Sequence, residues 1–363
     1  MDTIEKKWTM RERVLAVMDG KLPDRLPFID RIEIWYKGMQ ARGTMPEAYA
    51  GMSLNAVHKA VGIGREKFSI PYALKLRGVE MRILFEGDMI YRTKDPDVRY
   101  FPAQYAPEEI PRDRPGTSIV EYQTPVGSVS VSYVFAASMI SLCGMEPYLT
   151  THLIKESADY HIIEYILEHA EYVPLYEEFA AEEKAVGSHG FVVPCIHRIP
   201  FQQALLEYLG EMSLFQALYD SRDALDRLIH LLDRQMEKYT GILHAQGKKA
   251  GSHTDGNLKP LVDLMSETGL DVYESFTPQP LTELPFETAW ATWRNGPLIW
   301  GGIPSDLLEE RTEQKVFEEF VDNLLNTVGC NPIIIGVGDM VLDNNLIERV
   351  KYIADRIEAH PLK

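Results

Sequence analysis

Residues 248–257 read KKAGSHTDGN and residues 269–278 read GLDVYESFTP. Each is a short apolar or Gly-led segment that ends in polar residues, then turn residues and helical text. This is the pattern of consecutive strand–helix units. It continues in order: strand 248–253, helix 258–267, strand 270–274, helix 282–292, strand 297–302, helix 313–327, strand 332–336 and helix 344–358. Four such units in succession predict a parallel sheet with right-handed crossovers, and at 363 residues a closed (β/α)8 TIM barrel is expected over an open sheet. In such a barrel the strand C-termini share one mouth, so His253, Asp255 and Glu274 are expected to meet there.

Working outward, HGFVVPCI (189–196) is a further buried strand, and PDRLPFIDRIEIWY (23–36) a first one ending near Asp30, Arg31 and Glu33. GVEMRILFEGDMIYRT (78–93) and SIVEYQTPVGSVSVSYV (118–134) alternate apolar and polar residues around the turns EGD and TPVG. They predict an antiparallel β-hairpin insertion at about 75–135 within a single domain of residues 1–363. Residues 148–185 and 201–246 read as helical. Exposed apolar helix faces could make a homodimer, though the sequence does not show which face is exposed.

The net charge of −17 argues against nucleic acid or an anionic membrane as partner, since both need a basic footprint. Cys143, Cys195 and Cys330 are too far apart for a CxxC motif, and no apolar run reaches the length of a membrane span. The opening residues form a charged amphipathic helix, with Ile4, Trp8, Val14, Leu15 and Met18 available for one face. A cytoplasmic protein is the expectation.

His253 and Asp255 lie two apart and face one side of a strand. Imidazole and carboxylate together suit Zn²⁺ or a similar divalent ion, with Glu274 as a third ligand. Asp255 is also placed to cap the helix beginning near Leu258, and His253 to bond a loop carbonyl. Glu274 and Asp339, both at strand ends, are the candidate catalytic carboxylates, while Asp343 is the expected cap of the last helix. Asp30, Arg31, Tyr36 and His197 are the candidate substrate-binding residues.

Four segments together resemble the uroporphyrinogen decarboxylase superfamily, in its corrinoid-dependent methyltransferase branch. They are RERVLAVMDGKLPDRLPF (11–28), the TPVG hairpin in EYQTPVGSVSV (121–131), HTDGN (253–257) with ETGLDVYESFTP (267–278), and the last strand with its Gly-Asp turn. The founding decarboxylases carry an Arg-rich segment after the first strand for porphyrinogen carboxylates. This chain has IDRIEIWYKGMQARG (29–43) there, with acidic residues among the basic ones. Relatives that methylate coenzyme M hold zinc through His-x-Cys and a later Cys, where this chain has His253, Asp255 and a position near Asp339. Ligands without thiolate make a harder Lewis acid, suited to oxygen rather than thiol chemistry. The resemblance therefore implies an O-demethylase methyltransferase that moves a methyl group from a methoxyaromatic compound to a corrinoid (cobalamin) on a separate protein. Trp35, Tyr36, Tyr133 and Phe276 would hold the ring. The alternatives are a decarboxylase of the founding type and a catalytically silent partner of a corrinoid protein.

Overall fold

The computed structural model describes residues 8–94, 99–100, 106–139, 146–195, 198–360 and 362. The chain divides into two compact units, one of Met1–Phe68, Ala180–Val193 and Leu243–Lys363, the other of Ser69–Phe179 and Pro194–Ile242.

The first unit holds the parallel strands. The expected strand–helix units of the C-terminal part are present, with strands Gly251–His253, Val272–Phe276, Leu298–Ile303 and Ile334–Val337 paired in that order. A parallel bridge between Phe28 and Ile335 continues the run into Ile29–Asp30, which pairs in parallel with Gly64–Ser69, and Gly190–Pro194 follows at the far edge. Among the described residues, seven strands thus join in sequence, and no pairing links the last to the first. The closed eight-stranded ring expected from the sequence is not what the hydrogen bonds show. Past Gly190–Pro194, the described residues up to Ala245 are almost wholly helical and contain no further parallel strand.

Amphipathic helices cover this sheet. Gln314–Val328 buries Phe317, Val321, Leu324, Leu325 and Val328, and Ile347–Glu358 buries Ile347, Val350, Ile353, Ala354 and Ile357, the three-and-four spacing of a core-facing stripe. The N-terminal helix Met10–Met18 starts at a capping box between Thr9 and Glu12. It buries Met10, Val14 and Val17, whereas Leu15, expected on the apolar face, is exposed. The first strand is only two residues long. Glu33–Arg42 is a helix, so Trp35 and Tyr36 sit on a helix rather than at a strand end.

His58, on the helix Leu54–Val61, is completely buried in this unit. Burial, and then the charge of Arg65, hold its imidazole down at about 3. The unfolded chain takes up this proton below about pH 6.5 while the folded chain does not. Stability is therefore fully present above that pH and is lost on acidification, by about 1.4 kcal/mol per pH unit. Urea unfolding between pH 7 and pH 4 should show this slope in the difference between the wild type and His58→Leu, with the variant relatively more stable in acid.

The second unit contains the expected antiparallel sheet, ordered 88–94, 80–85, 116–124, 127–135 and 148–151. Its first hairpin turns at Glu86 and Gly87, both at positive φ as a two-residue hairpin turn requires. Buried and half-buried residues alternate along 80–85 and 127–135, as the sequence pattern expects. The unit extends well beyond residues 75–135, and the region 148–185 is not continuously helical. Tyr148–Thr151 and Ala170–Pro174 are strands, the latter paired with Tyr72–Leu76. Such nonlocal pairing overrides local helix preference. No helix among the described residues is long and apolar enough to cross a membrane.

Candidate functional site

His253, Asp255, Glu274 and Asp339 gather at the C-terminal ends of the parallel strands. Parallel register sets His253 directly beside Glu274, so the two side chains point the same way from neighbouring strands. Nδ1 of His253 bonds the Glu274 carboxylate, and Nε2 lies 3.1 Å from Oδ2 of Asp255 and 4.0 Å from Oδ1 of Asp339. Thr254 anchors the backbone between them, donating from both its N–H and its hydroxyl to the Glu274 carbonyl. Burial works against a charged imidazole here. The hydrogen bonds and charges of Asp255 and Glu274 outweigh it and push His253 up to about 10. With no cation bound, the ring at neutral pH is an imidazolium that donates to both carboxylates, and the bond from His253 holds the Asp255 carboxyl below its ordinary range; a cation on Nε2 would take the place of that proton.

Asp339 reaches this cluster because the chain turns sharply after Ile334–Val337. Gly338 passes so close to Thr277 that a Cβ there would lie 1.9 Å from the Thr277 hydroxyl oxygen, and Asp339 takes a left-handed φ of 63°. Arg31 donates from one terminal nitrogen to the Asp339 carbonyl at 2.7 Å, and its guanidinium lies 4.5 Å above the Phe68 ring. Phe68 in turn meets the His253 ring edge-on. Glu66, two residues before Phe68 on the same strand face, is buried, with Oε2 3.9 Å from Arg31 Nε. Burial, and then the charge of Glu274, push its carboxyl well above the usual range.

Several sequence expectations are corrected by this geometry. Asp255 caps no helix: the N–H of Lys259 donates to Asn257 Oδ1 instead. Asp343 does not cap the last helix either, since its carboxylate accepts from Arg42 at 2.6 Å and Leu346 occupies the cap position. Asp30 is no surface ligand for substrate. It is buried, with one oxygen accepting the N–H of Arg31 and the other that of Val337, which latches the first strand to the last; burial raises it to about 8. Tyr36 turns its hydroxyl to the Met52 carbonyl at 2.7 Å and packs against the core. Trp35 and Phe276 are core residues of this unit, and Tyr133 is a core residue of the second unit. His197 lies outside the described residues.

The residues placed to hold a cation differ from the expected trio. Ligand atoms of His253, Asp255 and Asp339 all lie within 4.8 Å of one another, while Glu274 stands behind the imidazole on its far nitrogen. One imidazole nitrogen and two carboxylates fit a divalent cation, and a carboxylate on the opposite imidazole nitrogen is the usual support of a metal-bound histidine. Glu66 and Phe68 are not among the residues expected from the sequence, because GREKFS (64–69) is a strand without an apolar run. Its signal is the alternation that puts Glu66 and Phe68 on one face after Gly64.

No family model matches the chain, and no curated protein matches it. Among solved structures it is similar to a methyltransferase from Methanosarcina mazei, with a TM-score of 0.50, covering 97% of this chain and 99% of that one at 14% sequence identity. The two share a fold. At that identity the likeness speaks to architecture alone: a mixed α/β chain with parallel and antiparallel sheets.

Proposed function

We propose that the chain is a methyltransferase that takes a methyl group from a small methoxyaromatic substrate and passes it to a corrinoid on a separate protein. Its scaffold would be a barrel-like fold of the uroporphyrinogen decarboxylase superfamily, with seven strands joined among the described residues. The observation that carries this reading is the convergence of His253, Asp255 and Asp339 at strand C-termini with Glu274 behind the ring. The methyltransferase activity of the Methanosarcina mazei protein of the same fold supports methyl transfer in general.

Breaking a methyl ether leaves an oxygen whose negative charge must be stabilised or protonated. Zn²⁺ held by His253 Nε2, Asp255 and Asp339 would supply a Lewis acid for that oxygen. The chain's own groups do the rest. Glu274 fixes the imidazole with Nε2 facing Asp255 and Asp339. Arg31, clamped over Phe68, holds Asp339 through its carbonyl. Its guanidinium, 3.5 Å from Asp339 Oδ1, would set a positive charge beside an oxygen-bearing part of the substrate.

The test is a titration of Zn²⁺-loaded protein with cob(I)alamin and a panel of methoxyarenes. Methylcobalamin is the expected product. Formation of coproporphyrinogen from uroporphyrinogen, or no methylcobalamin from any methoxyarene, would contradict the reading. Glu274→Gln removes the charge behind the imidazole and is expected to weaken Zn²⁺ binding about 10–100-fold, read by competition with a chromophoric chelator. An unchanged affinity would place Glu274 outside the centre.

A further inference from the structure

Ser275 follows Glu274 in the strand Val272–Phe276, so regular pleating would turn its side chain to the opposite face. It does not follow the pleat. Its φ is 68°, and the register with Leu298–Ile303 shifts between Tyr273 and Phe276. Only three non-glycine residues among those described have positive φ, namely Glu86, Ser275 and Asp339. The last two are joined to each other: the Asp339 N–H donates to Ser275 Oγ at 2.6 Å. The Ser275 hydroxyl donates in turn to Asp255 Oδ1 at 3.4 Å. A hydroxyl has one proton to give and lone pairs to receive, so both bonds form at once. Ser275 is itself buried, with 1% of its surface exposed, and its conformation is the kind of local strain that persists where a site demands it.

We propose that Ser275 is a positioning residue whose hydroxyl sets the spacing of Asp255 and Asp339, two cation ligands that arrive from different strands. This rests on reading His253, Asp255 and Asp339 as a metal centre. Without the hydroxyl, the Asp339 turn and the Asp255 loop lose their common tether, although each carboxylate remains.

The test compares Ser275→Ala and Ser275→Gly with the wild type, measuring Zn²⁺ affinity by chelator competition and the visible absorption of the Co²⁺-loaded protein. Glycine adopts φ 68° freely, so Ser275→Gly keeps the backbone while losing the hydroxyl, and it carries the test if Ser275→Ala fails to fold. The expected result is a 10–100-fold loss of Zn²⁺ affinity in Ser275→Gly together with an altered Co²⁺ spectrum. Wild-type affinity and an unchanged spectrum in Ser275→Gly would overturn the role of the hydroxyl while leaving the metal centre standing. Failure of the wild type to bind either ion would remove the metal reading and this inference with it.

Discussion

Asp255→Ala is expected to slow methyl transfer by two to three orders of magnitude or more, the size of effect seen when a group stabilising charge in the transition state is removed. Its stability should stay within about 1 kcal/mol of the wild type, the range of a solvent-exposed ion pair. The side chain is 63% exposed, so truncation opens no cavity. Its partners are His253 and Ser275, and it supports no helix terminus. Steady-state methylcobalamin formation and urea unfolding on the same preparation check both halves. Lost stability with full activity per folded molecule would mean that Asp255 is structural.

Phe276→Ala should behave in the opposite way, losing about 3–5 kcal/mol of unfolding free energy. Phe276 is completely buried, its ring 5.4 Å from that of Trp293 and 6.2 Å from that of Phe286. Truncation leaves a cavity that neighbouring rings fill poorly. It also decides between two roles, since the sequence suggested this residue as a platform for an aromatic substrate. A substrate platform would show a raised KM in a protein of nearly wild-type stability. The packing leads us to expect the reverse.

The strand–helix alternation from Lys248 onward was legible because each unit is short, apolar and bounded by turn residues, and all four units lie within a few residues of their expected bounds. The antiparallel hairpins were legible for the same reason, through strict alternation around EGD and TPVG. His253, Asp255, Glu274 and Asp339 could be named because a carboxylate or imidazole just past an apolar run stands out. Their division of labour could not be read. Whether Glu274 or Asp339 faces Nε2 depends on the register between adjacent strands and on the left-handed turn at Asp339, and neither leaves a local mark in the sequence. Asp30 illustrates the same limit. Its place after an apolar run matches that of the others, yet two backbone N–H groups use up its carboxylate. Trp35 and Tyr36 were misjudged because PFIDRIEIWY reads as a continuous apolar run, whereas the strand stops at Asp30 and a helix starts at Glu33.

X-ray absorption at the zinc edge of the Zn²⁺-loaded protein examines the proposed centre most directly. We expect one imidazole nitrogen and otherwise oxygen, at about 2.0–2.2 Å, with the imidazole signal lost in His253→Ala. A sulfur shell near about 2.3 Å, or a spectrum indifferent to His253→Ala, would contradict it.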